Sequence, residues 1–225
     1  MTESVKQKSE TITIERPNST RTISPPRTSQ YLHSSTKRIV DICFGLVGFA
    51  LLIAIFPFVA ILIKTTSRGP VFYRQDRVGK SQSIFKLVKF RSMYDGSEVE
   101  TGAVWASEDD SRITFVGKLL RLTYLDEFPQ FWNVLRGEMS IVGPRPERPE
   151  IISKIRDDIP RFDMRLACKP GITGLAQINL GYGNTIRGAR YKLRYDLIYI
   201  GVSSLAMDFK IIVRTVVRAV TQAGT

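Results

Sequence analysis

The longest apolar stretch of the chain lies near its N-terminal end. From Ile42 to Ile63, 22 residues follow one another without a charged side chain. An α-helix needs about 20 apolar residues to cross the hydrocarbon core of a bilayer. The pattern therefore predicts a membrane helix at residues 36–64, with a helix buried in the core of a soluble protein as the alternative.

Positive charges flank this stretch on both sides. Lys37 and Arg38 precede it, and Lys64 and Arg68 follow it, whereas positive residues usually mark the cytoplasmic end of a span. Pro57 lies past the middle of the stretch, where it removes a backbone hydrogen bond and favours a kink. These features predict a re-entrant helix that enters and leaves on the same face, and a spanning helix is the open alternative.

The N-terminal segment, residues 1–35, has the opposite pattern. It is polar, rich in Ser, Thr and Pro, and shows little hydrophobic periodicity. Such a segment buries too little apolar surface to offset the entropy of ordering it. We expect a disordered tail without the apolar region of a secretory signal.

The pattern after Lys64 becomes that of a soluble domain and predicts one at residues 65–225. Two strand-like runs, at 70–74 and 83–90, are separated by a turn signal at 78–81. This arrangement predicts a small β-hairpin.

Short helices and loops are predicted for the rest of this domain. Residues 113–135 and 145–160 are typical of short helices interrupted by prolines, and 169–174 predict a loop. Residues 208–220 combine a basic stripe with a broad apolar face, which favours an amphipathic helix at a membrane interface or against the core. The fold class is α+β, mainly helical: a re-entrant membrane helix, a small β-hairpin and short amphipathic helices at the membrane face.

Composition restricts the chemistry. The 225 residues include 33 Lys and Arg against 21 Asp and Glu, a net charge of +12, which implies nucleic acid, a phosphorylated substrate or an anionic lipid surface as partner. The single histidine, His33, nearly excludes histidine triads and histidine metal clusters. Cys43 and Cys168 have no CxxC spacing, and we expect two reduced thiols.

Candidate chemistry concentrates at two adjacent acids. Asp126 and Glu127 stand in otherwise apolar sequence, five residues after Arg121. Such a pair can hold a divalent cation through hard oxygen ligands or supply a carboxylate nucleophile. Two neighbouring acids are also typical of a solvated helix start, so the pair alone does not settle its role.

Several basic residues suit phosphate recognition. Arg145 lies between Pro144 and Pro146, and a guanidinium on so fixed a backbone suits bidentate binding of phosphate; a structural arginine in a tight turn is the alternative. Lys89 and Arg91 add positive charge on a predicted strand, which a salt-bridge network explains equally well. Together with the acids and the membrane segment, they indicate chemistry on phosphorylated substrates at a membrane face.

The order of motifs along residues 36–220 resembles that of a known family, the bacterial sugar transferases or monotopic phosphoglycosyl transferases. Any one motif is weak, whereas the whole set in order is highly specific. The motifs are KR (37–38), GPVFYRQ (69–75), RVG (77–79), KFRSM (89–93), LDEFPQ (125–130), WNVL (132–135), GPRP (143–146) and KPGITG (169–174).

The resemblance implies an activity and a location. Members transfer a sugar 1-phosphate from a UDP-sugar to undecaprenyl (polyprenyl) phosphate, release UMP and start exopolysaccharide, capsule or O-antigen synthesis. The expected partners are these two substrates and lipids of the bacterial inner membrane at its cytoplasmic face, with no nucleic acid. A homodimer is left open.

The resemblance also implies a site. Asp126 and Glu127 match the catalytic dyad and are the expected ligands of Mg²⁺, which would offset the repulsion between carboxylate and diphosphate. Asp126 is the expected nucleophile, forming a covalent phosphosugar. The expected substrate-binding residues are Lys89, Arg91, Arg121 and Arg145.

Two departures and two alternatives accompany the resemblance. Tyr124 and Phe128 replace the Ser and Leu of the common pattern Ser-Leu-Asp-Glu-Leu-Pro but spare the acids and the proline. We also expect a minimal form of the family, without the multi-span N-terminal domain of many larger members. A non-catalytic basic membrane protein that binds anionic lipid or nucleic acid leaves the motifs unexplained, and a polytopic transferase needs more apolar runs.

Overall fold

The computed structural model describes residues 13–14, 21–22, 27–97, 110–180 and 185–223. Within these ranges the chain has the predicted mainly helical α+β fold, with three two-stranded sheets. Most of the predicted tail lies outside them, apart from the paired strands β1 (Thr13–Ile14) and β2 (Arg21–Thr22). The described segment that begins at residue 27 is packed against the domain at its start, because the Ser29 amide donates to the Ile200 carbonyl at 2.8 Å and a 3₁₀ turn follows at Gln30–His33. The ordered domain therefore begins before residue 36.

One long helix, α1 (Ser35–Thr66), contains the predicted membrane segment and continues through Pro57. Ser34 begins it, accepting a hydrogen bond from the Lys37 amide, as serine N-caps commonly do. Only 22% of its most apolar 18-residue window is buried, whereas a core helix of a soluble protein is mostly buried. By length and composition, α1 is the one helix in the described ranges that can cross a membrane.

One face of α1 packs against the rest of the chain along its whole length. Its buried residues recur every three to seven positions, and large apolar side chains such as Ile39, Val47 and Phe58 are exposed between them. The domain therefore lies along one side of the helix. The buried positions are Lys37, Asp41, Gly45, Gly48, Leu52, Val59 and Ile63.

The predicted β-hairpin is confirmed. Strands β3 (Phe72–Val78) and β4 (Ile84–Phe90) pair in antiparallel register from Phe72↔Phe90 to Val78↔Ile84. A 3₁₀ turn, Lys80–Gln82, joins them. Stacked rings attach the hairpin to the helix, because Phe72 lies 5.5 Å from Phe56 of α1 and 5.4 Å from Phe90, centroid to centroid.

The remaining elements include the helices predicted at 113–135 and 145–160. In addition, α6 is a long helix that the sequence pattern did not reveal, because its polar and apolar residues are mixed. The elements are α2 (Phe115–Leu122), a 3₁₀ turn (Leu125–Glu127), α3 (Gln130–Arg136), β5 (Ser140–Val142), α4 (Pro149–Asp158), a 3₁₀ helix (Phe162–Ala167), β6 (Gly171–Thr173), α5 (Leu175–Asn179), α6 (Ile186–Val202) and α7 (Leu205–Ala223).

The prediction of a loop at residues 169–174 is wrong. Gly171–Thr173 forms β6, which pairs in parallel with β5. The glycines that favour a loop serve a close approach here, since a Cβ on Gly171 would lie 2.1 Å from the Gly143 amide nitrogen.

Helix α7 confirms the amphipathic helix predicted at 208–220. Asp208 and Ile211 are buried, whereas Val213, Val216 and Val217 are more than half exposed. Helix α2 shows the same exposure, with Phe115 at 84%. Apolar side chains left uncovered on two helices favour the interfacial interpretation over the core-packed one.

A buried ionic network joins α1 to the C-terminal helices. The Lys37 ammonium donates to Asp208 at 2.7 Å, to Asp41 at 3.2 Å and to the Val142 carbonyl at 3.3 Å. The Tyr199 hydroxyl donates to the second oxygen of Asp208 at 2.8 Å. Because the charges are paired and hydrogen-bonded, their burial is tolerated.

A close helix contact leads to a prediction for stability. A Cβ on Gly48 of α1 would lie 2.4 Å from the Phe131 ring of α3, so Gly48→Ala must displace that ring. Overpacking of this kind costs about 1–3 kcal/mol, and we expect a lower midpoint of thermal unfolding in detergent. Gly201→Ala is the matched control, since its Cβ meets only the Arg27 carbonyl at 3.7 Å. Equal midpoints for the two variants would contradict this packing.

Candidate active site

The two adjacent acids lie on a short turn that apolar neighbours anchor. Leu125–Glu127 forms the 3₁₀ turn between α2 and α3. Leu125 and Phe128 pack into the apolar cluster that includes Leu52 of α1. Tyr124, just before the turn, has φ 56°, a left-handed conformation that costs a bulky residue energy and is often found beside functional groups.

Two cations hold Glu127. The Lys89 ammonium donates to its Oε1 at 2.7 Å. The Arg145 guanidinium donates to both carboxylate oxygens, with Nη1 at 3.2 Å from Oε2 and Nη2 on Oε1. This is the bidentate geometry that arginine provides for carboxylates and phosphates. The acid therefore fixes both cations at the edge of the site.

Asp126 has a different environment. It is 7% exposed, yet its carboxylate accepts no hydrogen bond from any residue that the structure describes. Arg121 lies nearby, with its Nε donating to the Ser92 hydroxyl at 2.8 Å, and its charge acts on the carboxylate. Asp126 is thus a largely buried residue whose carboxylate oxygens are uncommitted.

The environments drive the pKa values of the two acids apart. Burial raises the pKa of Asp126, and the neighbouring Glu127 raises it further against the opposing charges of Lys89 and Arg121. Burial alone would also raise the pKa of Glu127, but Arg145 and Lys89 outweigh it and lower that pKa well below its usual range. A pair of acids separated in this way is a common arrangement for dividing chemical roles.

The arginine of the Pro-Arg-Pro segment is supported from behind by two further arginines, Arg165, which is buried, and Arg77, which is half-buried. Arg165 donates to the Arg145 carbonyl at 2.9 Å and to Asp196 at 2.8 Å, and Arg77 donates to the Pro146 carbonyl at 3.0 Å. Their hydrogen bonds to two carbonyls of the segment keep its backbone in place. Arg77 belongs to one of the recognised motifs without a predicted role, and no sequence signal distinguishes Arg165.

The structure brings together all but one of the predicted site residues. Asp126, Glu127, Lys89, Arg121 and Arg145 form one cluster through the contacts above. The exception is Arg91.

Arg91 binds the end of α1 instead of facing the acids. Its guanidinium donates to the Ser67 carbonyl and hydroxyl, both at 2.9 Å, and to the Arg68 carbonyl. The prediction that Arg91 binds substrate is therefore corrected. Orphan carbonyls at a helix C-terminus attract a guanidinium, and charge clustering in the sequence cannot separate this role from phosphate binding.

Two amides beside the acids were missed. The Asn133 side chain joins α3 to β4, accepting from the Val88 amide at 3.2 Å and donating to the Lys86 carbonyl at 2.8 Å. Gln130 is 1% exposed, and its Nε2 has no partner in the described part of the chain. Both residues lie within motifs quoted above, which was the available signal.

The donor set suits a cation shared with a phosphorylated ligand. The described ranges contain no group of three or more His, Cys, Asp or Glu that could enclose a metal. Mg²⁺, however, is usually held by one or two carboxylates plus substrate phosphates. Asp126 offers uncommitted hard oxygens for this purpose, whereas the oxygens of Glu127 are engaged by Lys89 and Arg145.

Fold and site together define a class of protein: an apolar helix of membrane type packed along a small α+β domain with a carboxylate–cation site. A family model described as bacterial sugar transferase matches residues 32–222. The chain belongs to the bacterial sugar transferase family.

Named relatives agree with this assignment. The chain is 39% identical to the UDP-N-acetylgalactosamine-undecaprenyl-phosphate N-acetylgalactosaminephosphotransferase of Aeromonas hydrophila, over 86% of this chain and 45% of that protein. It is 44% identical to a UDP-glucose:undecaprenyl-phosphate glucose-1-phosphate transferase of Klebsiella pneumoniae, over 80% and 39%. It is 40% identical to the exopolysaccharide production protein PSS of Rhizobium leguminosarum bv. phaseoli, over 83% and 96%. The chain thus spans less than half the length of the first two.

Proposed function

We propose that this chain transfers a sugar 1-phosphate from a UDP-sugar to undecaprenyl phosphate, releases UMP and so starts exopolysaccharide, capsule or O-antigen synthesis. The observation that carries the proposal is the buried, uncommitted carboxylate of Asp126 beside cations that Glu127 holds in place. Relatives named as sugar-phosphate transferases support the substrates. A non-catalytic lipid- or nucleic-acid-binding protein leaves this arrangement unexplained.

The reaction has two balanced steps. In the first, an Asp126 oxygen attacks the phosphorus that carries the sugar, and the bond from this phosphorus to the bridging oxygen breaks as UMP leaves. In the second, an oxygen of the lipid phosphate attacks the same phosphorus and breaks its bond to Asp126. The carboxylate is restored and the product is a lipid diphosphate sugar. Covalent catalysis divides one difficult displacement into two easier ones.

The neighbouring residues supply orientation and charge. Lys89 and Arg145 are already placed by their ion pairs with Glu127, so they cost little reorganisation when phosphate charge develops. Arg121, fixed by Ser92, adds a third cation near Asp126. The negative charge of the diphosphate thereby meets a preorganised positive edge.

We further propose that Mg²⁺ binds with the diphosphate, with Asp126 as its main ligand, since the oxygens of Glu127, the other expected ligand, are engaged by Lys89 and Arg145. When bound, the ion would neutralise diphosphate charge and polarise the phosphorus. The uncommitted oxygens of Asp126 support this proposal.

For location, we propose the cytoplasmic face of the bacterial inner membrane, with α1 re-entrant. Both ends of α1 contact the same domain, through Lys37 at one end and through Ser67, held by Arg91, just past the other. Lipids of that membrane are then partners of the exposed side of α1. A homodimer stays a prediction.

The bidentate guanidinium of Arg145 leads to the first functional prediction. Arg145→Lys keeps the charge but loses bidentate geometry, and the loss of one charged contact costs about 1.5–3 kcal/mol. We expect kcat/KM for UMP release to fall roughly 10- to 150-fold. Arg161→Lys, at an exposed arginine, is the control. Unchanged kinetics in Arg145→Lys would assign Arg145 a structural role.

The role of Asp126 as nucleophile leads to the second functional prediction. With UDP-sugar but no lipid phosphate, the wild-type protein should form a phosphosugar adduct on Asp126, detectable by peptide mass spectrometry, and chelation of Mg²⁺ should abolish it. Asp126→Asn should form none and lose turnover by several orders of magnitude, whereas Asp158→Asn, at an exposed acid, should behave as wild type.

Glu127→Gln should be severely impaired as well, because Lys89 and Arg145 lose their counter-charge. The result that contradicts the mechanism is turnover without any adduct, with both substrates required before UMP appears. Adduct formation that persists after chelation would instead contradict the role of Mg²⁺.

The re-entrant topology of α1 leads to the third functional prediction. Single cysteines at positions 35 and 66, in a Cys43→Ser background, should react with an impermeant maleimide from the cytoplasmic side only, because a re-entrant helix returns both ends to one face. Labelling is compared in intact spheroplasts and in lysed cells. Reaction from opposite sides would show a spanning helix.

A further inference from the structure

Two of the recognised motifs and the turn that follows a third meet at a cavity away from the paired acids. The KR motif supplies Lys37 and Arg38, the KPGITG motif supplies Lys169, and the turn directly after RVG supplies Lys80. Their side chains line a cavity of about 240 Å³ near the start of α1. The mechanism above uses none of them.

Helix α3 separates this cavity from Asp126 and Glu127. The acids precede the first residue of α3, whereas Arg38 donates to the carbonyls of Val134 and Leu135 at its last turn, both at 2.8 Å. The seven residues of α3 correspond to roughly 10 Å along the helix axis. The cavity is therefore a separate site.

The charges at the cavity do not balance. Asp41 is the one acid in its lining, and this carboxylate is engaged by Lys37, the Ser140 hydroxyl at 2.9 Å and the Ile141 amide at 3.0 Å. Counting Asp208, the buried partner of Lys37, two acids face four cations. Two positive charges are left over.

The excess is that of Lys80 and Lys169, since neither ammonium has a hydrogen bond or ion pair within the described ranges. Burial lowers the pKa of Lys169, and Arg38, Lys80 and Lys37 lower it further against the opposing charge of Asp41. Lys80 likewise lowers the pKa of His33 at the rim, after burial. Unpaired cations that lie close together repel one another, and an anion bound between them would neutralise this repulsion.

The size and charge of the cavity select the anion. Pockets for drug-sized ligands measure roughly 300–1,000 Å³, so a volume of about 240 Å³ fits a small group. A phosphate monoester carries a charge of about −1.5 to −2 at neutral pH, which matches the excess. Ile39, the next residue after Arg38, is 60% exposed and begins the apolar surface of α1, so a lipid-borne phosphate can reach the cavity as well as a free one.

We propose that the cavity lined by Lys37, Arg38, Lys80 and Lys169 binds a phosphate monoester group, carried by a lipid or free in solution. The proposal does not depend on the transferase activity. Lys80 and Lys169 bind the anion directly, whereas Lys37 and Arg38 are fixed by their other contacts and contribute charge.

Binding is measured on the full chain in neutral detergent, with Arg145→Ala in every protein to remove the phosphate contact expected at the acids. Inorganic phosphate is the free probe, followed by equilibrium dialysis. Dioleoyl phosphatidic acid, compared with phosphatidylcholine, is the lipid probe, followed by native mass spectrometry. Lys80→Ala/Lys169→Ala is compared with Lys154→Ala/Arg161→Ala, which removes two exposed cations elsewhere.

The affinity for at least one probe should fall about tenfold or more in Lys80→Ala/Lys169→Ala, since two charge-assisted contacts are lost, and stay unchanged in the control pair. Loss of phosphate binding identifies a free anion, and loss of phosphatidic acid binding alone identifies a lipid headgroup. The probe that binds should also raise the thermal unfolding midpoint of the protein in which Lys80 and Lys169 are intact.

The proposal is overturned if the intact cavity binds neither probe, or if both double variants bind equally well. Lys169→Gln alone serves as a milder second variant, and its expected loss of affinity is smaller but in the same direction. Lys80 and Lys169 repel one another in the protein without bound phosphate, and their replacement by alanine removes this repulsion. Without phosphate, the thermal unfolding midpoint of Lys80→Ala/Lys169→Ala should therefore equal or exceed that of Lys154→Ala/Arg161→Ala.

Discussion

The Lys37 ammonium joins the membrane-type helix to the domain that carries the site. It contacts Asp41 of α1, Asp208 of α7 and the Val142 carbonyl of β5. A buried ion pair contributes little net stability over an apolar replacement, but removal of one partner costs about 3–5 kcal/mol, because the other charge is left unpaired. The ion pairs of Lys37 therefore determine the position of α1 against the domain more than they contribute to the free energy of unfolding. Since α1 supplies Leu52, Val59 and Ile63 to the apolar cluster against which Leu125 and Phe128 pack, the position of the acids depends on that of α1.

A second constraint concerns how one domain carries many cations without repulsion. At the acids, Glu127 compensates Lys89 and Arg145 and thereby holds them for an incoming phosphate. Behind them, Asp196 compensates the buried Arg165. Lys80 and Lys169, by contrast, have no ion-pair partner within the described ranges. The net charge of +12 is thus not spread evenly over the domain. Specific acids neutralise the cations that build the structure, whereas other cations remain unpaired and available for ligands.

Patterns that depend on neighbours in sequence predicted the fold well. The apolar run, the hairpin turn and the basic stripe of α7 each reflect local periodicity, and each is present. The paired strands β5 and β6 were missed because their pairing is set by close backbone approach at Gly171, which has no periodic signal. At the site, adjacency identified Asp126 and Glu127, and the flanking prolines singled out Arg145. Arg91 was misassigned since its partner, the end of α1, is distant in sequence from it.

The direction of the exposed apolar surfaces relates the site to the proposed lipid substrate. Phe115, Leu119 and Leu122 on α2 are at least half exposed, and α2 ends shortly before the turn that carries the acids. The outer face of α1 is exposed and apolar as well, while its inner face packs beside Leu125 and Phe128. Apolar surfaces of this extent on two neighbouring elements are most stable when lipid covers them. A bilayer that covers both would lie beside Asp126, so a lipid phosphate could approach the carboxylate while its chain stayed in the membrane. The burial that raises the pKa of Asp126 and the access of the lipid then have one cause, namely the packing of the turn against α1.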